Sequence, residues 1–206
     1  MVFNIIALIS VLVIIILMRR MVTIFPSLIA CTLRWKESVN LEASIKHSLD
    51  RNMLAAAMAL PFCLVVERFR LYELKVIEDL NNDLHLAVII GVFAAYFLIR
   101  LLLSRIMRPR RIVPKTYKTA EKASLTFFII LTIILMAMGS VMSFIGIDES
   151  IIRTAMLCVS ASIYMLFLIR KTQIFTSGCS FFTAFLYLCA LEILPTGVLV
   201  ASAIIF

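Results

Sequence analysis

The twenty lysines and arginines and the twelve aspartates and glutamates of this chain are crowded into the gaps between six long apolar stretches. A hydrocarbon interior accepts continuous apolar helices and rejects ionised side chains, so this placement of charge specifies an all-α, polytopic transmembrane helix bundle. A content of 63% hydrophobic residues and a mean hydropathy of +1.09 exceed the apolar fraction of about 45–50% typical of soluble domains. The formal charge of +8 does not indicate nucleic-acid binding. Its basic residues flank apolar spans instead of interleaving with aromatics on a polar face.

The sequence predicts one integral membrane domain over 1–206 with spans at about 2–18, 53–70, 86–103, 124–145, 151–169 and 180–206. A helix needs about 20 residues to cross. The apolar core of the second span, 53–66, is short, and its continuation through Glu67, Arg68, Phe69, Arg70, Leu71 and Tyr72 is expected to reach the headgroup layer, with Phe69 and Tyr72 at the interface.

Charge asymmetry sets the expected orientation. The connection from Arg19 to Asn52 holds six bases and three acids, that from Arg100 to Lys122 eight bases and one acid, and the connection after Leu168 begins Arg170-Lys171. Those three are read as cytoplasmic. Glu67 to Leu84 carries five acids against three bases, and the link with Asp148 and Glu149 has only Arg153 beside it. Both termini are then outside, with the first span an N-out anchor and not a cleaved signal peptide, whose positive charge comes first.

On the basic side, Leu41, Ile45, Leu49 and Met53 recur every four residues while Glu42, Lys46 and Asp50 share another face. This predicts an amphipathic helix lying in the membrane surface. Met21 to Leu33, apolar all round, interrupted by Pro26 and too short to cross alone, is expected to be interfacial or re-entrant. Small residues at four-residue spacing mark candidate helix contacts: Gly91 with Ala95, Gly139 with Ser143, Cys158 with Ser162, and the patch Ala55, Ala56, Ala57 and Ala59. Of five cysteines, Cys63, Cys158 and Cys189 fall within spans and Cys31 in an apolar stretch, without metal-ligand or disulfide spacing. No cofactor is expected.

Glu192 is the first candidate for function, because it falls near the middle of the last span, where an acid costs about 2.5–3.5 kcal/mol to insert. It must face the bundle interior and either pair or keep its proton. Pro195, three residues on, lacks the amide that would bond the Leu191 carbonyl, so a kink with a free backbone oxygen is expected beside the acid. Such a break suits an ion or substrate site. The plainer alternative is a hydrogen bond from protonated Glu192 to Ser160 or Ser162, fixing packing only; Gln in its place would then preserve assembly. Arg100 is close enough to the end of its span to snorkel, and Arg153 reads as an interfacial anchor that could also descend toward Glu192.

The strip Arg108, Pro109, Arg110, Arg111, Ile112, Val113, Pro114, Lys115, continued by Lys118 and Lys122, determines topology. Arg108, Arg110, Arg111, Lys115 and Lys118 are also candidate contacts for an anionic lipid headgroup, with the two prolines keeping the strip extended. Glu78, Asp79, Asp83 and His85 cluster on the other side without a defined metal-loop signature, and His47 is expected to meet water. Phosphate-loop, zinc-protease and nucleophile-elbow motifs are absent.

The string Phe185-Leu186-Tyr187-Leu188-Cys189-Ala190-Leu191-Glu192-Ile193-Leu194-Pro195 resembles the C-terminal signature of a bacterial multi-pass inner-membrane family, the domain of unknown function of the 4271 type. Overall size and the region Arg34-Trp35-Lys36 are compatible. The resemblance implies an inner-membrane location and directs interest to Glu192 and Pro195; it supplies no reaction. The expected role is a non-enzymatic membrane component of an envelope or lipid-related assembly, whose partners are membrane lipids, other membrane proteins or a second copy of the chain. The rivals are a small proton-coupled transporter or lipid translocator using Glu192, and a lipid-modifying enzyme.

Overall fold

The computed structural model describes residues 2–72, 82–106, 114–177 and 181–205. Its elements are α1 (Val2–Leu33), α2 (Trp35–Ala43), α3 (Ile45–Arg68), α4 (Asn82–Ile106), α5 (Pro114–Ile145), α6 (Glu149–Thr176), and α7 (Phe181–Leu188), which runs through a π-helical turn, Cys189–Ile193, into α8 (Leu194–Ile205). Among the described residues no strand occurs, and six helical stretches are long and apolar enough to cross a bilayer. They span 23 to 30 residues each, which at 1.5 Å per residue is about 35–45 Å, longer than the hydrocarbon core of about 30 Å.

Several boundaries differ from the sequence expectation: α5 begins at Pro114 and α6 runs to Thr176, beyond the expected 124 and 169, and three further differences reshape the bundle. Residues 21–33 are not a separate surface segment but the second half of α1, which passes through Pro26 without breaking. A lone proline removes one backbone bond, and a helix in lipid has no better alternative than to continue. The end of α1 is completed from another helix: Arg170 of α6 donates to the carbonyls of Thr32 at 2.9 Å and Leu33 at 2.8 Å, oxygens that a helix C-terminus otherwise leaves unsatisfied.

The predicted amphipathic helix is split in two. Ser44 adopts an extended conformation between α2 and α3, and its hydroxyl accepts the His47 amide at 3.5 Å. It is an N-cap. Leu41 therefore stays on α2 and is buried against Ile24, Leu28 and Leu54, while Ile45, Leu49 and Met53 are 78%, 53% and 52% exposed on the outer face of α3. The polar face turns inward. Arg51, only 2% exposed, lies 2.5 Å from Glu42, and Lys122 of α5 lies 3.3 Å from the same carboxylate and donates to Ser48 at 3.1 Å. Arg20 of α1 meets Asp50 at 3.0 Å. In a bilayer the apolar stripe belongs outside and the charges inside, the reverse of a helix in water.

At the other end, α3 stops at Arg68 because Arg70 takes a left-handed turn, φ 46°. Tyr72 consequently folds back into the bundle, buried, with its hydroxyl 2.6 Å from that of Ser202 on α8. It is not an interfacial anchor. Phe69 likewise packs inward.

Helix α5 packs against both α3 and α6. One apolar cluster joins α1, α2, α3 and α5 around Leu28, Leu54 and Ile129; another joins α3, α4, α5 and α6 around Ile89, Leu135 and Met156. Of the small-residue pairs, Gly139 is a true close approach: a Cβ there would lie 2.7 Å from the Phe69 ring and 2.8 Å from the Met156 methyl. Gly91 meets nothing within 4 Å, Cys158 and Ser162 are exposed, and in the alanine patch Ala55 is buried while Ala56 is exposed.

Gly139→Val should therefore cost about 1–3 kcal/mol, whereas Gly91→Ala should be neutral or stabilise by up to about 1 kcal/mol; thermal unfolding in detergent compares the two. Burial pushes the Glu42 carboxyl upward, but its hydrogen bond to Arg51 and the charges of Arg51 and Lys122 prevail and hold it below the ordinary 4.5. With the folded pKa depressed, Glu42 contributes stability above about pH 4.5, and that contribution disappears as pH falls through the folded value. The gap in melting temperature between the wild type and Glu42→Gln should be open at pH 7 and narrow steadily on acidification below pH 4.5.

Candidate functional site

The last membrane helix changes winding where its acid lies. Through Cys189–Ile193 the backbone is π-helical, with the Leu194 amide bonded to the Cys189 carbonyl, and Pro195 follows without an amide of its own. The backbone oxygen of Glu192 is collected from outside the helix by the Tyr164 hydroxyl of α6 at 3.2 Å. Single π turns of this kind are frequent at functional sites.

The Glu192 side chain is 1% exposed and is held by two cations from two other helices. A guanidinium nitrogen of Arg100, on α4, lies 2.5 Å from both carboxylate oxygens and donates to Oε1; Oε2 touches it without an aligned hydrogen bond. The Lys171 ammonium, on α6, donates to Oε1 as well. Lys171 is 3% exposed. The Phe167 ring lies beside both cations, its centroid 5.6 Å from the Arg100 guanidinium and 5.5 Å from the Lys171 nitrogen, close enough for the negative ring face to attract both.

Ser160 and Ser162 are not partners of Glu192. The Ser162 hydroxyl is spent on the Cys158 carbonyl of its own helix at 2.9 Å and is exposed. The face of α6 that meets Glu192 carries Tyr164, Phe167 and Lys171, separated by three and four residues, which is one helical stripe. Arg100 does not merely snorkel; it turns to the acid. Arg153 stands in the first turn of α6, eighteen residues and about 27 Å from Lys171 along the helix, so it does not descend to Glu192. Lys171 was missed because, beside Arg170, it reads as the start of a loop; α6 continues to Thr176. Its seven-residue spacing from Tyr164 was the available signal.

Two cavities flank the ion cluster. One, of about 170 Å³, is walled by aromatic rings including Phe62, Phe93, Phe97 and Phe128, and reaches Arg100 and Glu192. The other, of about 230 Å³, is lined by Arg100, Ser104, Glu121, Lys122, Ser124 and Glu192. The Ser104 hydroxyl donates to Glu121 at 2.5 Å, and Tyr117 donates to the Ser104 carbonyl at 2.6 Å. From the second cavity, Lys122 leads on to Glu42 and Arg51. Polar groups thus continue from the centre of the bundle toward the α2 end.

The remaining candidates do not join this site. Arg108, Arg110 and Arg111 lie outside the described residues, and Pro114 opens α5, so Lys115 and Lys118 belong to a helix and not to an extended strip; Lys118 is exposed. Proline is favoured at a first helical position, where its missing amide costs nothing. Glu78 and Asp79 lie outside the described residues, and His85 turns to Glu67, 2.6 Å away.

Since Glu192 balances the buried Lys171 and the part-buried Arg100, removing its charge leaves both unpaired. Glu192→Gln should destabilise the fold by about 3–5 kcal/mol, contrary to the intact assembly expected from a serine bond. Lys171→Met, which keeps the Arg100 pair, should cost clearly less; melting temperatures of the purified variants decide.

The family described as Domain of unknown function (DUF4271) matches residues 4–202. No curated protein and no solved structure matches.

Proposed function

The chain belongs to the DUF4271 family, and from that premise we propose that it is a small non-enzymatic membrane carrier whose transfer site is the Arg100–Glu192–Lys171 cluster. One observation carries this reading: two cavities, one walled by aromatic rings and one whose lining includes Ser104, Glu121 and Lys122, meet at the same ion pair. A solute moving between them passes Arg100 and Glu192, and exchange of partners within the cluster is the step that would open or close the way. Interrupted helices that place polar groups near the middle of a bundle are how many carriers build such sites. Glu192 is engaged by both Arg100 and Lys171 and is not free to act as the acid or nucleophile of a hydrolytic reaction. The distribution of bases supports both termini outside, and the family resemblance supports a bacterial inner-membrane setting.

A second reading is favoured by the outward faces, where Phe144 is 93%, Ile106 78% and Ile16 76% exposed. Lipid or a neighbouring membrane subunit would cover them, and the chain would then serve an envelope or lipid-related assembly with the cluster as a cross-tie. Water access separates the two. In a background without native cysteines, Ser104→Cys and Ser124→Cys should react with a membrane-impermeant thiol reagent if the cavities conduct; if both resist labelling in the folded protein, the carrier reading fails and the cross-tie stands.

A further inference from the structure

The buried cluster carries an excess of positive charge. Arg100 and Lys171 bring two charges to the single carboxylate of Glu192, and a net charge at this depth is unfavourable without a counter-ion. Phe167 attracts both cations but has no charge to cancel theirs. Lys122 shares Glu42 with Arg51, and Glu121, which accepts from Ser104, is the further carboxylate on the lining of the second cavity. In direct contact, the Arg100–Glu192–Lys171 cluster holds two cations and one anion.

The aromatic cavity bounds the other half of the missing partner. Its volume of about 170 Å³ is close to that of an apolar cavity of roughly 150 Å³ able to hold benzene. The Phe62 ring meets Phe93 and Phe128 edge-on at 5.1 Å, and Phe97 meets Phe128 at 5.4 Å, so the wall is firm and apolar and presents ring faces and edges. Only where it reaches Arg100 and Glu192 does it turn ionic, with Tyr96 and Tyr164 nearby. An apolar group of one ring or about six carbons fits the cavity, and a single negative charge completes the cluster.

We propose that the site binds a monoanionic amphiphile, its charged head against Arg100 at the ionic end of the aromatic cavity and its ring or acyl end within that cavity. This rests on the carrier reading and names its substrate class. Glu192 is then the resident carboxylate that occupies the cations while the site is empty and shares them when the ligand enters. With the anion bound, two positive charges face two negative ones.

The test measures binding of 3-phenylpropionate to the full chain in neutral detergent by calorimetry, with 3-phenylpropanol as the uncharged analogue. The acid should bind at least tenfold more tightly than the alcohol, and Leu131→Trp, which fills the aromatic cavity from α5, should weaken it at least tenfold. Should that variant misfold, Ile163→Phe fills the same space from α6. In nanodiscs, competition by phosphatidylglycerol but not phosphatidylcholine supports the proposal with a bilayer lipid as the source of the anion; binding of the free acid without such competition supports it with a soluble carboxylate. Equal binding of acid and alcohol, no binding of either with no lipid competition, or indifference to a filled cavity in a folded variant overturns it. Labelling of Ser104→Cys or Ser124→Cys together with any of those results sinks the substrate class alone, whereas failure of both to label sinks the carrier reading.

Discussion

A charge inside a bilayer has to be answered by the protein, because neither lipid nor water is available to do so. Glu192 is answered by Arg100 and Lys171, and since these three residues come from different helices, their meeting fixes the rotation of α4, α6 and the α7–α8 unit together. The neighbouring polar contacts follow from that rotation. Tyr164 reaches the Glu192 carbonyl, and Tyr96, one turn from Arg100 on α4, meets Thr196 at 3.1 Å. The winding of the last helix is part of the same arrangement, for the π turn sets Glu192 inward while the exposed flanks at Ile193 and Leu194 face out.

The same constraint explains the inverted amphipathicity of the α2–α3 region. Ile45, Leu49 and Met53 point outward and Arg51 is buried with Glu42, an arrangement that would be unstable around a water-facing helix and is natural in lipid. The ionic contacts made by Asp50, Glu42, Lys122 and Arg100 form a polar layer across one half of the bundle, whereas the other half is closed by apolar packing around Ile89, Leu135 and Met156. The cavities lie along the boundary between these two kinds of interior. Charged groups with alternative partners can rearrange at modest cost, while close-packed aromatic walls cannot. A site poised between them has one mobile side and one fixed side, which is what recognition of an amphiphile requires.

Six membrane-capable helices and the sheltering of Glu192 were legible in the chain, because exclusion of charge from hydrocarbon acts residue by residue and leaves its mark in linear order. Reading loops from charge failed where charged residues remained helical. Arg19 and Arg20 seemed to end the first span, yet α1 runs on to Leu33 with its last carbonyls bonded by Arg170. Lys171 was placed in a loop for the same reason, and so the second cation of the site was lost. The break at Ser44 was hidden by a four-residue periodicity that continued across it, although a serine three residues before an amide it can cap was a local signal.

The sequence by itself determined how many times the chain crosses, which end of the bundle is basic, and that an acid would have to be sheltered in its last helix, since each follows from the transfer cost of individual side chains. Only the tertiary structure decided which groups shelter that acid. Partner choice depends on helix rotation and relative depth, and these are set by packing among residues as far apart as Arg100, Lys171 and Glu192, whose separation in the chain carries no record of their contact.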